Sequence, residues 1–387
     1  MKQRTFKLKE FAQDISVAVK DAQLSPLKRF VGLEHYDSNE PVITRFTDTS
    51  LLSSSVKEFN ENDILIARRN VYLRRAGIVF FSGLTSGDSI VLRIYNDCED
   101  RTGIPKDDAI RIIPFILNSN DFWAYANKHA DGMNSKRISK DMLYDYEFSL
   151  PPIEEQRILA DKLWAAYRLK ESYKKLLTAT QEMVKSQFIE MFYGMTTTPV
   201  KDYIDDSFPG EWGTEDKDGN GVKVIRTTNF TNSGKLNLED VVTRNIEERK
   251  VSRKQIKKYD TILERSGGTA ENPVGRVVLF EEDERYLCNN FTQVLRFKNI
   301  DPRFAFYSLY YFYQTNKTAI RSMGSKTTGI QNLNMGKYQE IGIPNASDEQ
   351  QMAFVSIVKQ ADKSEFELRK SIEAIDQVIK SLINDIK

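Results

Sequence analysis

The sequence predicts an α/β (α+β) protein in which two similar globular domains are joined by two long antiparallel coiled-coil helices with pseudo-twofold symmetry. Three observations lead to this fold class. A proline and glutamine signature occurs twice, as LPPIEEQRIL from Leu150 and as IPNASDEQQM from Ile343. Each copy opens about 40 residues of helical pattern without proline or glycine. Each copy also follows roughly 150 residues of mixed, aromatic-rich sequence, which indicates an internal duplication.

The duplication divides the chain into four predicted segments. They are a globular domain at 1–150, a central long helix at 151–195, a second globular domain at 196–342 and a C-terminal long helix at 343–387. The two signatures align Glu155-Gln156 with Glu349-Gln350, a difference of 194 positions. Within the globular domains the aligned pairs are Asp63 with Asp260, Leu65 with Leu263 and Gly77 with Gly275.

The globular domains have short strand patterns separated by turn residues. The predicted strands are DILIAR, AGIVFF and SIVLRIY in the first domain and GRVVLF and TQVLRF in the second. Helices are expected near 112–130 and 302–322. Because strands and helices do not alternate regularly, the pattern favours a small, twisted, partly antiparallel sheet flanked by helices over a doubly wound sheet.

The central helix has clear boundaries. Pro151 and Pro152 precede it, Glu154 lies in its first turn, and Gly194 stands where a C-terminal cap is expected. Its predicted apolar stripe is Leu159, Ala166, Leu169, Tyr173, Leu176, Met183 and Phe188.

The C-terminal helix has a stronger coiled-coil pattern. Ser347 and Gln350 have the spacing of a capping box, which predicts a helix start near residue 348. Its stripe, which only Glu365 interrupts, is Phe354, Val358, Ala361, Leu368, Ile372, Ile375, Ile379, Leu382 and Ile386. Two stripes of equal length in one chain are expected to bury each other, although two ordinary core helices are the alternative.

Composition is that of a globular protein with balanced charge. The 387 residues include 56 basic and 55 acidic ones, so a nucleic-acid surface must be local. No apolar run has the length of a membrane span, and the only cysteines are Cys98 and Cys288. We therefore expect a cytoplasmic protein with free thiols and without a membrane partner.

Two basic clusters are candidates for contacts with double-stranded DNA, which would present two related sites to two related domains. The first mixes phosphate-seeking cations with groups that can hydrogen-bond to base edges, whereas the second consists of cations. The first comprises Arg68, Arg69, Asn70, Tyr72, Arg74 and Arg75. The second, expected to form one cationic helix face at the corresponding place, comprises Arg249, Lys250, Arg253, Lys254, Lys257 and Lys258. A solvated surface is the alternative for either cluster.

Further polar residues are expected to complete the two surfaces. Arg265 and Ser266 precede a glycine pair that permits close approach to a sugar-phosphate chain. The segment MNSKRIS, with Asn134, Lys136 and Arg137, precedes the first signature as GSKTTGIQNLN precedes the second. From the latter, the candidates are Lys326, Thr328, Gln331 and Asn332. Turn capping is an equally good interpretation of these residues.

Motifs for chemistry are missing from the sequence. Neither Pro151-Pro152 nor the segment ENPVG has the Asn/Asp-Pro-Pro-aromatic pattern of an adenine methyltransferase, and no Gly-Lys-Ser/Thr phosphate loop occurs. His35 and His129 lack metal-ligand spacing with cysteine. We therefore predict no catalytic residue, metal or cofactor in this chain.

The chain resembles a known protein family, the specificity subunits of type I restriction-modification systems. The resemblance covers nearly all of it, through FVGLEHYD, IARRNVYLRRAGIVFFSGLTSGDSIVLR, NSNDFWAYANKHADG and LPPIEEQ in the first half and DTILERSGG, VGRVVLF and the EQQ signature in the second. It implies two target-recognition domains that each read half of a bipartite DNA sequence, and paired helices that fix the gap.

The resemblance also implies partners. Two modification subunits would dock on the helices and carry S-adenosylmethionine-dependent adenine methylation, and restriction subunits would add ATP- and Mg-dependent translocation and cleavage. A modification enzyme with its own cofactor site is made improbable by the missing motifs. The remaining alternative is a coiled-coil interaction scaffold that does not bind DNA.

Overall fold

The computed structural model describes residues 3–19, 21–51, 56–133, 135–269, 271–327 and 330–384. The chain forms two compact units. The first comprises Met1–Lys175 and Leu368–Lys387, and the second comprises Leu176–Glu367. Each unit therefore contains one part of each long helix as well as a globular part. The predicted segment boundaries follow the helix starts instead, and they remain a prediction.

Within the residues that the structure describes, the first unit combines three sheets with short helices. Its strands are β1 (Arg4–Lys7), β2 (Ala12–Asp14), β3 (Ala18–Val19), β4 (Arg29–Val31), β5 (Thr47–Asp48), β6 (Val56–Phe59), β7 (Ile64–Ala67), β8 (Ala76–Ile78), β9 (Gly83–Ser86), β10 (Ser89–Ile94) and β11 (Glu147–Leu150). Its α-helices are α1 (Leu8–Phe11), α2 (Cys98–Thr102), α3 (Lys106–Ile116), α4 (Asn120–Lys128), α5 (Lys140–Tyr144) and the start of α6 (Ile153–Phe192).

Over its described residues, the second unit combines four sheets with short helices. Its strands are β12 (Thr197–Pro199), β13 (Ile204–Pro209), β14 (Thr214–Glu215), β15 (Val222–Ile225), β16 (Val242–Asn245), β17 (Thr261–Glu264), β18 (Ser266–Gly267), β19 (Val277–Leu279), β20 (Tyr286–Cys288), β21 (Thr292–Phe297), β22 (Gly324–Thr327), β23 (Ile330–Leu333) and β24 (Gly342–Pro344). Its helices are α7 (Glu248–Lys254), α8 (Pro302–Thr315), α9 (Lys317–Met323), α10 (Met335–Tyr338) and the start of α11 (Asp348–Asn384).

The same four-stranded antiparallel sheet forms the centre of each unit. Its strand order is β2-β10-β7-β8 in the first unit and β13-β21-β17-β19 in the second. All residues of β7 and β17 are buried, because helices and neighbouring strands cover both faces of these central strands. A two-stranded pairing, β1-β11 or β12-β24, joins the first strand of each globular part to the strand before the next long helix. The predicted small, partly antiparallel sheets are thus confirmed.

An equivalent ion pair fixes the register of the duplication. Asp63 before β7 accepts two hydrogen bonds from Arg93, both at 2.7 Å, and Asp260 before β17 accepts two from Arg296, at 2.9 and 2.6 Å. Both carboxylates are buried, so the bidentate guanidinium compensates their desolvation.

Two predicted alignments were wrong by one or more residues. With Asp63 and Asp260 equivalent, Leu65 corresponds to Ile262 and its ladder partner Gly77 corresponds to Val278 rather than Gly275. At the helix starts, the side-chain amides of Gln156 and Gln351 both donate to the carbonyl five residues earlier, at 2.7 and 2.9 Å. Their numbers differ by 195 rather than the predicted 194. Repeated glutamates and glutamines in each signature made the shift invisible in the sequence.

Two predicted helices are each divided in two. The segment 112–130 is split between α3 and α4, because Ser119 caps α4 by accepting a hydrogen bond from the Phe122 amide at 3.0 Å. The segment 302–322 is split between α8 and α9 at Asn316. The apolar periodicity of the sequence did not predict either break, because apolar residues continue on both sides of each one.

The start of α11 is as predicted. Ser347 and Gln350 form the capping box: the Ser347 amide donates to Gln350 Oε1 at 3.0 Å, and the Gln350 amide donates to Ser347 Oγ at 3.3 Å. The helix runs from Asp348 to Asn384. Of its predicted stripe, Phe354, Val358 and Ala361 are buried, and Ile386 lies outside the described residues.

The predicted stripe of α6 was wrong in its central part, where Leu169, Leu176 and Met183 are exposed. Phe188 is buried as predicted, and Leu159 packs against the core of the first unit. The buried residues are Gln156, Ala160, Leu163, Tyr167, Lys170, Val184, Phe188 and Phe192. Because this buried row includes Lys170, a search for apolar periodicity does not detect it.

Both units contain contacts between their parts of α6 and α11. In the first unit, Lys170 of α6 forms an ion pair with Asp376 of α11 at 2.6 Å. In the second, the rings of Phe188 and Phe354 lie 5.2 Å apart, edge to face. The hydrophobic core of the first unit includes Leu163 and Ile383, so the helices contribute to it directly.

Candidate nucleic-acid interface

The central strand of the first unit ends in a junction of three chain segments. Arg68 follows β7, and its amide donates to the carbonyl of Asp88 at 3.0 Å, in the turn between β9 and β10. The Arg68 carbonyl accepts from the amide of Ile138 at 3.1 Å. Beside it, Arg69 and Arg137 form an antiparallel bridge. We call Arg68, Arg69, Asp88 and Arg137 the first junction.

The second unit has the same backbone arrangement. Arg265 follows β17, its amide donates to the carbonyl of Phe291 at 2.8 Å, and its carbonyl accepts from the amide of Leu333 at 2.8 Å. Ser266 pairs with Asn332 in the ladder of β18 and β23. We call Arg265, Ser266, Phe291 and Asn332 the second junction. The backbone pairings of the two junctions are therefore equivalent, residue by residue.

Backbone conformation reinforces this equivalence. The next residue along the chain has a positive φ in both units, 53° at Asn70 and 113° at Gly267. Asparagine and glycine are the residues that adopt this region most readily. The sequence therefore turns away from the central strand at the same point in each unit.

Two arginine side chains of the first junction, Arg69 and Arg137, converge on the carboxylate of Asp88. Asp88 Oδ2 accepts from Arg69 Nη1 at 3.1 Å, and its Oδ1 lies 3.5 Å from Arg137 Nη2. Both arginine side chains remain 41% exposed. A guanidinium has five N–H donors, so each arginine keeps donors for a ligand after pairing with Asp88.

The remaining residues of the first basic cluster differ in exposure. Tyr72 is 60% exposed, and Arg74 donates to Asn120 Oδ1 at 2.9 Å. Arg75 instead donates to the carbonyls of Leu33 and Arg69, and burial lowers the pKa of its guanidinium. Arg75 thus stabilises this loop.

Some polar atoms of this cluster have no partner among the described residues. They are Arg68 Nε, Asn70 Oδ1 and Arg75 Nε, all of which are buried. The Asn70 amide is paired with the carbonyl of the exposed Lys136 at 2.8 Å. Unpaired buried polar atoms are costly, so a cluster of them marks a place where a ligand or water can add hydrogen bonds.

The second junction is neutral apart from Arg265. Ser266 Oγ donates to Asn332 Oδ1 at 2.6 Å, and Arg265 Nη1 donates to Gln293 Oε1 at 3.3 Å. Gln331 stands opposite Lys326 in the ladder of β22 and β23. Thr328 and Asn134 lie outside the described residues.

The second basic cluster forms only part of the predicted helix face. Helix α7 ends at Lys254, so Lys257 and Lys258 lie beyond it. Lys250 and Lys254 pair with Glu211 at 3.5 and 2.9 Å, and the Lys254 hydrogen bond lowers the pKa of Glu211. Lys258 pairs with Asp283 at 2.9 Å. All of the cluster except Lys254 is exposed, and among the described residues Arg249, Arg253 and Lys257 are its exposed cations without an ion pair.

The predicted correspondence between the two basic clusters was wrong. The counterpart of Arg68 is Arg265, so the first cluster corresponds to the Arg265-Ser266 segment and α7 is a separate feature. The grouping of the Lys136-Arg137 segment with Gln331-Asn332 agrees with their equivalent ladder positions. Whether these residues contact DNA stays a prediction.

Sequence reasoning missed Asp88, Gln293 and Phe291. Asp88 follows Gly87 in a two-residue turn, a position that normally indicates only a hairpin. Its role arises from the approach of Arg69 and Arg137, which are separated by 68 positions. No local sequence signal identifies such a contact.

The described part of the chain offers neither a metal site nor a membrane span. Within it, no three His, Cys, Asp or Glu side chains cluster as metal ligands. Over the same residues, no helix combines the length and the apolar character needed to cross a bilayer.

Comparison with solved structures identifies a protein with the same fold. One, titled "Structural basis underlying complex assembly and conformational transition of the type I R-M system", is 14% identical over 99% of this chain and 97% of that chain, with a TM-score of 0.55. The chain therefore shares its fold with a protein of a type I restriction-modification system.

A family match covers much of the second half of the sequence. Residues 207–377 match the family described as Type I restriction modification DNA specificity domain. Together with the shared fold, this match confirms the predicted resemblance to a specificity subunit.

Two further structures are similar at lower scores. The S subunit of a type I system from M. genitalium is 13% identical over 100% of this chain and 96% of that chain, with a TM-score of 0.48. The HsdS subunit from Thermoanaerobacter tengcongensis is 15% identical over 99% and 96%, with a TM-score of 0.39. The comparison with curated protein sequences gave no significant match.

Proposed function

We propose that this chain is the DNA sequence-recognition subunit of a type I restriction-modification complex. Each globular domain reads one half of a bipartite target, and the two long helices set the spacer between the halves. The observation that carries the proposal is the pair of equivalent junctions, in which the same backbone holds different polar side chains. Such an arrangement suits one fold that reads two different sequences.

The contacts of the long helices support an antiparallel pairing. Lys170, in the first half of α6, contacts Asp376 near the end of α11, whereas Phe188, near the end of α6, contacts Phe354 near the start of α11. Helices in opposite directions would relate the two globular domains by a pseudo-twofold axis. Each domain would then meet its half-site on opposite strands of the duplex.

Exposed apolar side chains on the helices support docking of modification subunits. Leu169, Leu176 and Met183 are 46%, 52% and 43% exposed and recur at seven-residue steps on α6. On α11, Met352 and Phe366 are 58% and 65% exposed. Apolar rows on a helix favour a protein partner that buries them.

The chain itself would be non-catalytic. Methylation of adenine would use S-adenosylmethionine bound by the modification subunits, and ATP and Mg would be bound by restriction subunits. This division of labour agrees with the missing catalytic motifs in the sequence.

DNA binding by the purified chain, measured as a function of salt, tests the proposal. A phosphate-contacting surface loses affinity steeply as salt rises, with a slope of about 0.9 for each neutralised phosphate in a plot of log K against log salt. Sequence-specific, salt-dependent binding supports the proposal. A flat response, or no binding in the presence of modification subunits, would favour a coiled-coil scaffold.

A further inference from the structure

The two junctions differ at three equivalent positions. Ladder pairing makes Arg69 and Arg137 equivalent to Ser266 and Asn332, and the amide bonds of Arg68 and Arg265 make Asp88 equivalent to Phe291. The backbone hydrogen bonds of the two junctions are equivalent, so the junctions differ in their side chains. The first has Arg69, Asp88 and Arg137 where the second has Ser266, Phe291 and Asn332.

In the first unit this chemistry is a pair of arginines held by a carboxylate. Two guanidinium groups repel each other, and Asp88 offsets this by facing Arg69 and Arg137 with different oxygens. The pairing also orders two long side chains before any ligand arrives, which reduces the entropy lost on binding. A pre-ordered guanidinium fork fits the O6 and N7 acceptors of guanine in the major groove.

In the second unit the chemistry is neutral and partly apolar. The hydrogen bond from Ser266 Oγ fixes the orientation of the Asn332 carboxamide. Phe291 is 41% exposed at the place of Asp88. A carboxamide fits the N6 and N7 edge of adenine, and an aromatic ring makes apolar contact with a thymine methyl group.

We infer that these positions determine the base preference of the two half-sites. Positions 69, 88 and 137 select a G·C pair in one half-site, and positions 266, 291 and 332 select an A·T pair in the other. The inference rests on the proposed function, because it assumes that each globular domain reads duplex DNA.

Selection of duplexes from a randomised library by the purified full chain tests the inference. The wild type is compared with the triple variant Arg69→Ser, Asp88→Phe, Arg137→Asn, which transplants the second set of side chains into the first unit. The expected result is loss of a G·C requirement in one half-site, with the other half-site and the spacer unchanged. Arg45→Ser is the matched control, since Arg45 pairs with Asp37 on the surface of the same unit.

The possible failures are distinguishable. A wild type that enriches no bipartite motif overturns the proposed function. A wild type that enriches such a motif, together with a folded triple variant that enriches the same one, overturns only the inference. If the control variant Arg45→Ser also loses the G·C requirement, the effect is not specific to the first junction and the inference is overturned.

A second variant keeps the test valid if the triple variant does not fold. Arg69→Met with Arg137→Met keeps the aliphatic bulk and removes every donor that could reach guanine N7. The probe is the wild-type target with 7-deazaguanine, which lacks N7 but pairs normally, at the selected guanine. We expect about a 10-fold loss of affinity for the wild type, and less than about 2-fold for the methionine variant. Equal losses for both proteins would overturn the inference.

Discussion

Lys170 and Glu40 form an ion pair at 2.7 Å in the first unit, and the corresponding contact between loop and helix in the second unit has the charges reversed. There Lys235, which also pairs with Asp362, lies 3.4 Å from Glu365, the residue 195 positions beyond Lys170. Lys170 and Glu365 are both buried on their helices. In a misassembled chain, the loop that contains Glu40 would pack on α11 and the loop that contains Lys235 would pack on α6. Glu40 would then face Glu365, and Lys235 would face Lys170, so that like charges would meet. We therefore expect the reversed pairs to oppose incorrect assembly of the two repeats.

Removing Lys170 is predicted to destabilise the first unit. Lys170→Ala leaves the mostly buried Glu40 with only Lys174, and loss of a buried partner costs about 3 kcal/mol. Trp123 and Trp164 lie in this unit, so urea unfolding followed by tryptophan fluorescence in a Trp212→Phe background reports on it.

Lys174→Ala is the matched control for that experiment. Lys174 is 40% exposed and pairs with the same Glu40 at 2.9 Å, so its removal should cost less than about 1 kcal/mol. Equal unfolding midpoints for the two variants would contradict a special role for the buried pair.

The equivalent carboxylates before the central strands should stabilise their own units. Asp63→Asn and Asp260→Asn each remove the charge that compensates a bidentate arginine, and each is expected to cost roughly 3 kcal/mol. The two losses should add, because the residues share no partner. Chemical denaturation of both single variants and the double variant measures this. A double variant no worse than either single one would argue against equivalent, independent roles.

The exposed cations near α7 should contribute to DNA affinity without contributing to stability. Reversing Arg249, Arg253 and Lys257 together is expected to weaken binding and to reduce the salt slope by up to about 0.9 for each phosphate that is no longer neutralised. Fluorescence anisotropy over a salt series measures both quantities.

Lys254→Glu separates surface charge from structure in that helix. Lys254 is only 16% exposed and bonds to Glu211, so its reversal should lower the melting temperature, unlike the triple reversal. Unchanged affinity and slope in the triple variant would remove α7 from the interface.

Cys288 should resist alkylation in the folded protein. Burial raises the pKa of its thiol to about 11, since a low-dielectric surrounding disfavours the thiolate. At pH 8 the thiol therefore remains protonated, and its reaction with iodoacetamide should accelerate only as the pH approaches that value or the protein unfolds. Mass spectrometry of labelled peptides follows the rate. Labelling at pH 8 as fast as in urea would show that the site is not buried.

Sequence alone was sufficient for the parts of the fold that depend on local signals. The capping box of Ser347 and Gln350, the proline pair before α6 and the β-branched strands were all predictable, because each is encoded within a few residues. The repeat was also visible, since its strand and helix patterns survive divergence.

Contacts between distant segments were not predictable. Lys170 belongs to the buried face of α6 because Glu40 and Asp376 neutralise it, and a periodicity search for apolar residues excludes lysine. Glu365 interrupts the apolar stripe of α11 in the sequence, yet it is buried in the structure because Lys235 neutralises it. The junction at Asp88 likewise depends on pairing across the fold.

Shortening both helices should change the spacing of the target without changing its bases. Deleting residues 172–178 and 367–373 removes seven residues, or about 10 Å, from each helix. This corresponds to about three base pairs of B-DNA. Library selection with the deletion variant is expected to return both half-sites with a shorter spacer. An unchanged spacer would mean that the helices do not set it.

Single-molecule methylation mapping of a host that carries this chain with its modification partner shows whether the chain reads a bipartite target. Two domains that read separate half-sites predict a bipartite motif, with a spacer of constant length and an adenine mark on opposite strands in the two halves. A single uninterrupted motif, or methylation that does not depend on this chain, would contradict the account.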